Sequence, residues 1–227
     1  MNGFFISGTD TGTGKTLISA MLLMATRGRY WKPVQSGILN GTDTDTVRKL
    51  TGLGDMHFEA ESYMLKQPLS PHHSSRLDNI RIETGRLIED FKKIKTRVKN
   101  PDTLFNIVNN TSKLLIIEGA GGLLVPLNDH EFVIDFAREL DFPVILVSRS
   151  TLGTINHTLL SLEALKSRNI TVAGVVMSGP ENSGNRTAIE TFGRVKVLAE
   201  IPVLENLTKQ DLILFGTRII ESLRIPE

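Results

Sequence analysis

The sequence predicts an α/β fold, a mostly parallel sheet covered by helices. Short β-like runs alternate along the chain with helix-length amphipathic runs. Several of the β-like runs are apolar at consecutive positions, as strands buried on both faces are. A glycine-rich turn joins the first strand to the first helix.

The first strand is FFIS, 4–7, and LISAMLLMA carries the turn into a helix over 15–26. RYWKPV, 29–34, reads as the second strand and is followed by a helix over 43–51. The stretch 52–82 is the least periodic and holds three of the five histidines; it reads as an irregular lid or substrate wall, because long loops in compact domains are more often functional than slack. A helix over 83–98 sets Phe91, Ile94 and Val98 on one face. Its basic run FKKIKTRVK, 91–99, follows Glu83, Glu89 and Asp90, the pattern of a solvated face. LLIIEG, 114–119, and PVILVS, 143–148, are strands separated by a helix over 132–140. A helix over 155–167, the strand ITVAGVVM, 170–177, a helix over 184–192 and the strand VKVLAEIP, 195–202, complete the alternation. The final helix, 208–223, has an apolar stripe but mixed charges and no basic face, so it packs on the sheet rather than on a membrane.

With 227 residues, 40% of them hydrophobic, and no linker or repeat, one domain spanning 1–227 is expected. Lys and Arg number 26 against 25 Asp and Glu, so no field attracts nucleic acid or an anionic membrane. The lack of cysteine excludes disulfides, thiolate metal sites and cysteine nucleophiles. No signal segment or membrane-length apolar run is found, and a cytoplasmic protein is expected.

ISGTDTGTGKT, 6–16, is built to hold phosphate. A glycine-rich turn between a buried strand and a helix aims successive N–H groups into one concavity, with the helix dipole behind them. Gly12 and Gly14 let the backbone approach an oxygen, Lys15 brings a point charge to the β and γ phosphates, and the Thr16 hydroxyl suits Mg²⁺. The spacing is a variant of G-x-x-x-x-G-K-T, since Gly8 comes one residue early and Thr9 takes the first glycine position. A run ending in Lys-Thr favours a mononucleotide triphosphate over a dinucleotide.

Metal-holding acids are expected beside this loop. Glu118 follows the apolar LLII and precedes GAGG, so it emerges at the same sheet edge. Asp45 lies at a predicted helix start, where it could equally cap, and Asp43 is the competing choice. Lys32, in YWKPVQSG, ends the second strand, and Ser36 and Gly37 make a loop suited to a small polar substrate.

Together GTDTGTGKT, KPVQSG, SPHHS, IIEGAGGLLVPL, LGTINHTLL and AEIPVL, in this order, resemble dethiobiotin synthetase from residue 3 to about 204. The resemblance implies a single-domain, Rossmann-like P-loop NTPase fold, a homodimer, and ATP- and Mg²⁺-dependent closure of a ureido ring from 7,8-diaminononanoate and CO₂, the penultimate step of biotin biosynthesis. One amine becomes a carbamate, the γ phosphate activates it, and the second amine displaces phosphate from the mixed anhydride.

By this resemblance Lys15 and Lys32 are catalytic, and Thr16, Asp45 and Glu118 surround the metal. Gly12, Thr13, Gly14, Lys15, Thr16, Leu17, Glu118, Gly119, Ala120 and Gly121 contact ATP, with Ser178, Pro202, Val203 and Leu204 near its base. Thr11 and Ser36 line the phosphate and diamine site. Gly153, Thr154, Ile155 and Asn156 open a helix that, from the neighbouring subunit, receives the carboxylate tail of the diamine; Thr154 or Asn156 could instead cap it. Ser178 stands where many members have the asparagine that reads adenine, and a hydroxyl reads a base less selectively than an amide. Thr13 stands where valine is usual.

A partitioning ATPase switch of the ParA or MinD kind is the rival from another class, and another amide- or ring-forming ligase of the superfamily is a third option. The switches carry an early lysine where this chain has Asp10. The histidines lack metal spacing: His57, His72, His73, His130 and His157 read as loop, cap or packing residues, and His72 and His73, adjacent in an extended segment, point apart.

Overall fold

The computed structural model describes residues 2–99 and 114–223. Strands β1 (Asn2–Gly8), β2 (Arg29–Trp31), β4 (Phe58–Glu59), β6 (Leu114–Gly122), β7 (Val144–Arg149), β8 (Val172–Ser178) and β9 (Val197–Ile201) form a seven-stranded sheet in the order β4-β2-β6-β1-β7-β8-β9. Its neighbours pair in parallel. β3 (Val34–Ser36) and β5 (Tyr63–Leu65) make a second, two-stranded parallel sheet. The helices are α1 (Lys15–Thr26), α2 (Asp43–Thr51), α3 (Pro71–Leu77), α4 (Thr84–Lys99), α5 (Val133–Leu140), α6 (Thr154–Ser167), α7 (Ser183–Gly193) and α8 (Lys209–Leu223).

Strand alternation sorts the apolar residues onto two buried faces. Phe5, Trp31, Leu115, Ile117 and Leu146 meet Phe91, Phe136 and Leu162 of α4, α5 and α6. Ile6, Tyr30, Ile116, Ile145 and Val147 meet Met21 and Leu22 of α1 and Leu212, Phe215 and Ile219 of α8. With both faces covered, consecutive strand positions must be apolar, and each buried large side chain contributes about 1.5–3 kcal/mol. The final helix thus packs as its apolar stripe requires. At Gly216 the backbones of α8 and α1 meet so closely that a Cβ would lie 2.0 Å from the Met21 carbonyl oxygen.

Two expectations are corrected. RYWKPV is not one strand: Pro33, which has no N–H to donate, ends β2, and β3 leaves for the second sheet. Nor is 52–82 irregular, since it contains β4, β5 and α3. His72 and His73 lie on helix α3, and among the described residues no three acids or histidines gather as metal ligands. Phe91 and Ile94 are buried as the α4 face predicts, while the Val98 side chain falls outside those described. No described helix is long and apolar enough to cross a membrane.

Candidate active site

The phosphate-loop candidate lies between β1 and α1, at the carboxyl edge of the sheet. Gly12 has φ 70° and Gly14 φ 99°, conformations that side chains disfavour. Gly14 is the N-cap of α1 with no side-chain cap, so its first-turn N–H groups are left for an outside acceptor. Ser178, at the end of β8, flanks this turn: a Cβ on Gly14 would stand 3.1 Å from its Oγ.

Beneath the loop, strand order brings distant residues together. β6 lies between β2 and β1, and on its α1-facing side Glu118 follows Ile116, the partner of Tyr30. Glu118 is buried, at 1% exposure, and both its oxygens are engaged. Oε1 accepts from Thr16 Oγ1 at 2.9 Å and from Lys32 Nζ at 3.1 Å, and Oε2 accepts from the Tyr30 hydroxyl at 3.0 Å. Lys32 Nζ also donates to the Gly119 carbonyl at 3.0 Å and pairs with Asp43 Oδ2 at 2.6 Å. All three ammonium N–H groups therefore have acceptors.

Burial works against the Lys32 charge, but Glu118 and Asp43 together outweigh it and raise the pKa. Two carboxylates within 3.1 Å of one ammonium supply that attraction. Asp43 shows the converse: burial opposes its charge, and Lys32 and the Thr16 hydroxyl pull its pKa below the usual range. Lys15, also buried, donates to the Asp10 carbonyl at 3.0 Å. Desolvation, then repulsion from Lys32, lowers its pKa to about 8, against partial relief from Glu118, Asp43 and Asp10. Burial and then the Glu118 charge hold the Tyr30 phenol far above its ordinary pKa, hence protonated.

The acid at this cluster is Asp43, not the expected Asp45. Asp45 occupies the third helical position of α2, where its Oδ2 accepts from Thr42 N at 3.1 Å and Thr42 Oγ1 at 2.8 Å while its own N–H donates to Thr42 Oγ1 at 2.9 Å. That reciprocal capping box commits its carboxylate. Asp43 leads the helix, its N–H donating to Gln35 Oε1 at 3.0 Å and its carboxylate turned to Lys32.

The other expected residues fall into four groups. Thr11, Thr13 and Leu17 belong to the loop and α1: the Thr11 carbonyl accepts from Arg149 Nη2 at 2.9 Å, Thr13 Oγ1 donates to the Asp10 carbonyl at 3.3 Å, and Leu17 packs on the α1-side core. Gly119, Ala120 and Gly121 continue β6 past Glu118, and Ser36 ends β3 with a buried hydroxyl that has no hydrogen-bond partner among the described residues. Pro202, Val203 and Leu204 follow β9, next to Ser178; Pro202 and Val203 are exposed and Leu204 is half-buried.

Gly153, Thr154, Ile155 and Asn156 begin α6, whose later residues His157, Leu160, Ser161 and Ala164 face Thr9, Asp10 and Thr11 of the loop across a groove of about 300 Å³. Gly153 is the N-cap, at φ 93° and without a side-chain cap, so neither Thr154 nor Asn156 caps the helix. The Thr154 hydroxyl turns inward to the Arg149 carbonyl, leaving Asn156 exposed. Tyr30, Gln35 and Arg149 escaped sequence reasoning. Of these, Tyr30 had a usable signal, because two positions before Lys32 on a strand is the same face.

The donors at the cluster fit Mg²⁺. Thr16, Asp43 and Glu118 offer hard oxygens, and this ion is commonly held by one or two carboxylates plus substrate phosphates rather than by a protein cage.

An open glycine loop capping a helix under a parallel sheet, with lysine, hydroxyl and acids behind it, defines a P-loop nucleotide-binding protein. A family model described as an AAA domain matches residues 2–211. The ATP-dependent dethiobiotin synthetase BioD of Agrobacterium fabrum is 46% identical over 209 residues, 92% of this chain and 90% of that protein. That of Paramagnetospirillum magneticum is 42% identical over 92% of this chain and 91% of its own. The biotin biosynthesis bifunctional protein BioCD of Bordetella avium is 43% identical over 96% of this chain, which spans only 43% of that longer protein. The chain belongs to the dethiobiotin synthetase family within these AAA-domain proteins. Among solved structures, MinD of Aquifex aeolicus aligns with a TM-score of 0.58 at 12% identity, covering 100% of this chain and 99% of that one. A ParA family ATPase from Chlorobium tepidum gives 0.54 at 15% identity, covering 97% and 92%. At such identities the likeness is one of fold, and it does not favour the switch.

Proposed function

We propose that this protein closes the ureido ring of dethiobiotin from 7,8-diaminononanoate, CO₂ and ATP, as a cytoplasmic Mg²⁺-dependent homodimer with one domain per chain. Family membership supports the substrates. The observation that carries the site is the junction of Lys32, Asp43, Glu118 and Thr16 directly below the phosphate loop.

The loop N–H groups and Lys15 hold the triphosphate. Thr16, Asp43 and Glu118 would hold Mg²⁺, which when bound neutralises charge developing on the transferred phosphoryl group. One amine of the diamine adds to CO₂ and loses a proton, giving a carbamate. A carbamate oxygen attacks the γ phosphorus and ADP departs; the second amine then attacks the carbonyl carbon, losing a proton as phosphate leaves. Two anions must meet for this, and Lys15 and Lys32 lower their repulsion. Lys32 has no spare N–H in its present arrangement, so serving the carbamate requires it to give up its contact with Asp43 or Glu118. The Ser36 hydroxyl, without a partner among the described residues, is suited to receive an amine.

The uncapped start of α6, Gly153–Asn156, would receive the substrate carboxylate of the neighbouring subunit. Exposed apolar side chains support a second copy there: Leu160, 57% exposed, and Leu124, 54%, line the groove, and Leu152, just before α6, is 103% exposed.

Incubation with diaminononanoate, bicarbonate, Mg²⁺ and ATP is expected to yield one dethiobiotin per phosphate released. Phosphate release without that product, or a rate indifferent to the diamine, would overturn the reading.

A further inference from the structure

Tyr30 is wholly buried between the sheet and α1, where it packs edge-on against Phe58 with ring centroids 6.2 Å apart. Packing alone would be met by phenylalanine. The hydroxyl has one polar partner among the described residues, Glu118 Oε2 at 3.0 Å. The register accounts for the contact: Tyr30 pairs with Ile116 in a parallel ladder, and Glu118, two residues further along β6, lies on the same face. The opposite oxygen, Oε1, is the one that meets Thr16 and Lys32.

A carboxylate on a flexible side chain can rotate, or turn both oxygens to a cation. A donor fixed on one oxygen removes that freedom and sets the direction of the other. We propose that Tyr30 is a positioning residue that pins Glu118 through Oε2, so that Oε1 is presented to the metal beside Thr16. The assignment rests on the reading of Glu118 as a metal-holding acid. It requires the phenol to touch neither nucleotide nor diamine, acting only through Glu118. Outer partners of this kind typically change metal affinity by about 10- to 100-fold.

The test is Tyr30→Phe, which deletes one oxygen and keeps the ring. Mn²⁺ binding to the ADP-loaded protein, followed by calorimetry, is expected to weaken about tenfold. ADP affinity in metal-free buffer should be unchanged. In turnover the half-saturating Mg²⁺ concentration should rise by the same factor, with kcat recovering at high Mg²⁺. In a Glu118→Gln background the Tyr30→Phe change should add no further loss of Mn²⁺ affinity. Unaltered Mn²⁺ affinity in Tyr30→Phe, or an equal loss in both backgrounds, would show the hydroxyl to be a core feature without this role. The Mn²⁺ cycle needs no product, so a wild-type protein that makes no dethiobiotin would remove the proposed activity and leave this inference to stand or fall by the cycle.

Discussion

Lys32 Nζ stands 2.6 Å from Asp43 Oδ2, and the same ammonium reaches Glu118 Oε1 at 3.1 Å. One buried cation thus joins two acids from separate elements, α2 and β6, at the point where a divalent ion would bind. An ammonium here competes with that ion. Lys32→Met is therefore expected to tighten Mn²⁺ binding to the nucleotide-free protein, by about tenfold for each 1.4 kcal/mol of competition removed. The same substitution should lower kcat on the order of 10²-fold or more, because a positioned charge is lost from the phosphoryl transfer. Weaker Mn²⁺ binding would show instead that Lys32 organises the acids for the metal.

Asp43 and Asp45 are two residues apart yet do different work. Asp43→Asn should raise the Mg²⁺ requirement and reduce turnover by about 10²-fold, the loss expected for one electrostatic group at a transferring phosphoryl. Asp45→Asn removes charge from a capping box and should destabilise the fold by about 1 kcal/mol, with turnover largely kept below the melting transition. Paired measurements of thermal midpoint and Mg²⁺ dependence separate the two. An unchanged Mg²⁺ dependence in Asp43→Asn, with a raised one in Asp45→Asn, would reverse the assignment.

Close approach of α1 and α8 also supports the site, since α1 carries Lys15 and Thr16 on its first turn. A Cβ at position 216 would lie 2.6 Å from the Met21 carbonyl carbon, too near for any side-chain adjustment to relieve. Gly216→Ala must therefore move backbone, and a loss of about 1–3 kcal/mol is expected in denaturant unfolding. A variant as stable as the wild type would mean that the two helices are not locked at this distance.

Local chemistry explains how much of this was legible in the sequence. The phosphate loop could be read because strand, glycines, Lys15 and Thr16 are contiguous. Glu118 was found from its place at the end of an apolar strand, but its junction with Tyr30 and Lys32 depends on β6 pairing with β2, a nonlocal fact. β3, β4 and β5 are two or three residues long, too short to show a period, so 52–82 looked irregular. The choice of Asp45 over Asp43 had a local answer: Thr42 and Asp45 stand at N-cap and third-residue spacing, which already commits Asp45 to the helix end. Tyr30 had a signal in its place two positions before Lys32, but an aromatic residue in a core strand reads first as packing.

Lys15 gives the site a pH dependence of definite sign. In the nucleotide-free protein its pKa is lowered to about 8, burial being the main cause and Lys32 the next. A bound triphosphate favours the charged ammonium and must raise that pKa. Below the free-state value the lysine is already protonated and binding takes up no proton. Between the free and bound values the neutral amine has to gain one, so affinity falls as pH rises, approaching tenfold per unit. Lys32, whose pKa is raised, stays charged throughout this window and adds no slope of its own. Calorimetry of ADP binding in buffers of different ionisation enthalpy should therefore show little proton uptake at pH 7 and uptake approaching one proton at pH 9. Lys15→Arg, which retains a charge that does not titrate there, should bind without uptake at either pH. Equal uptake in the wild type and Lys15→Arg would assign the proton to another group, and none in the wild type at pH 9 would mean that Lys15 is charged before the nucleotide arrives.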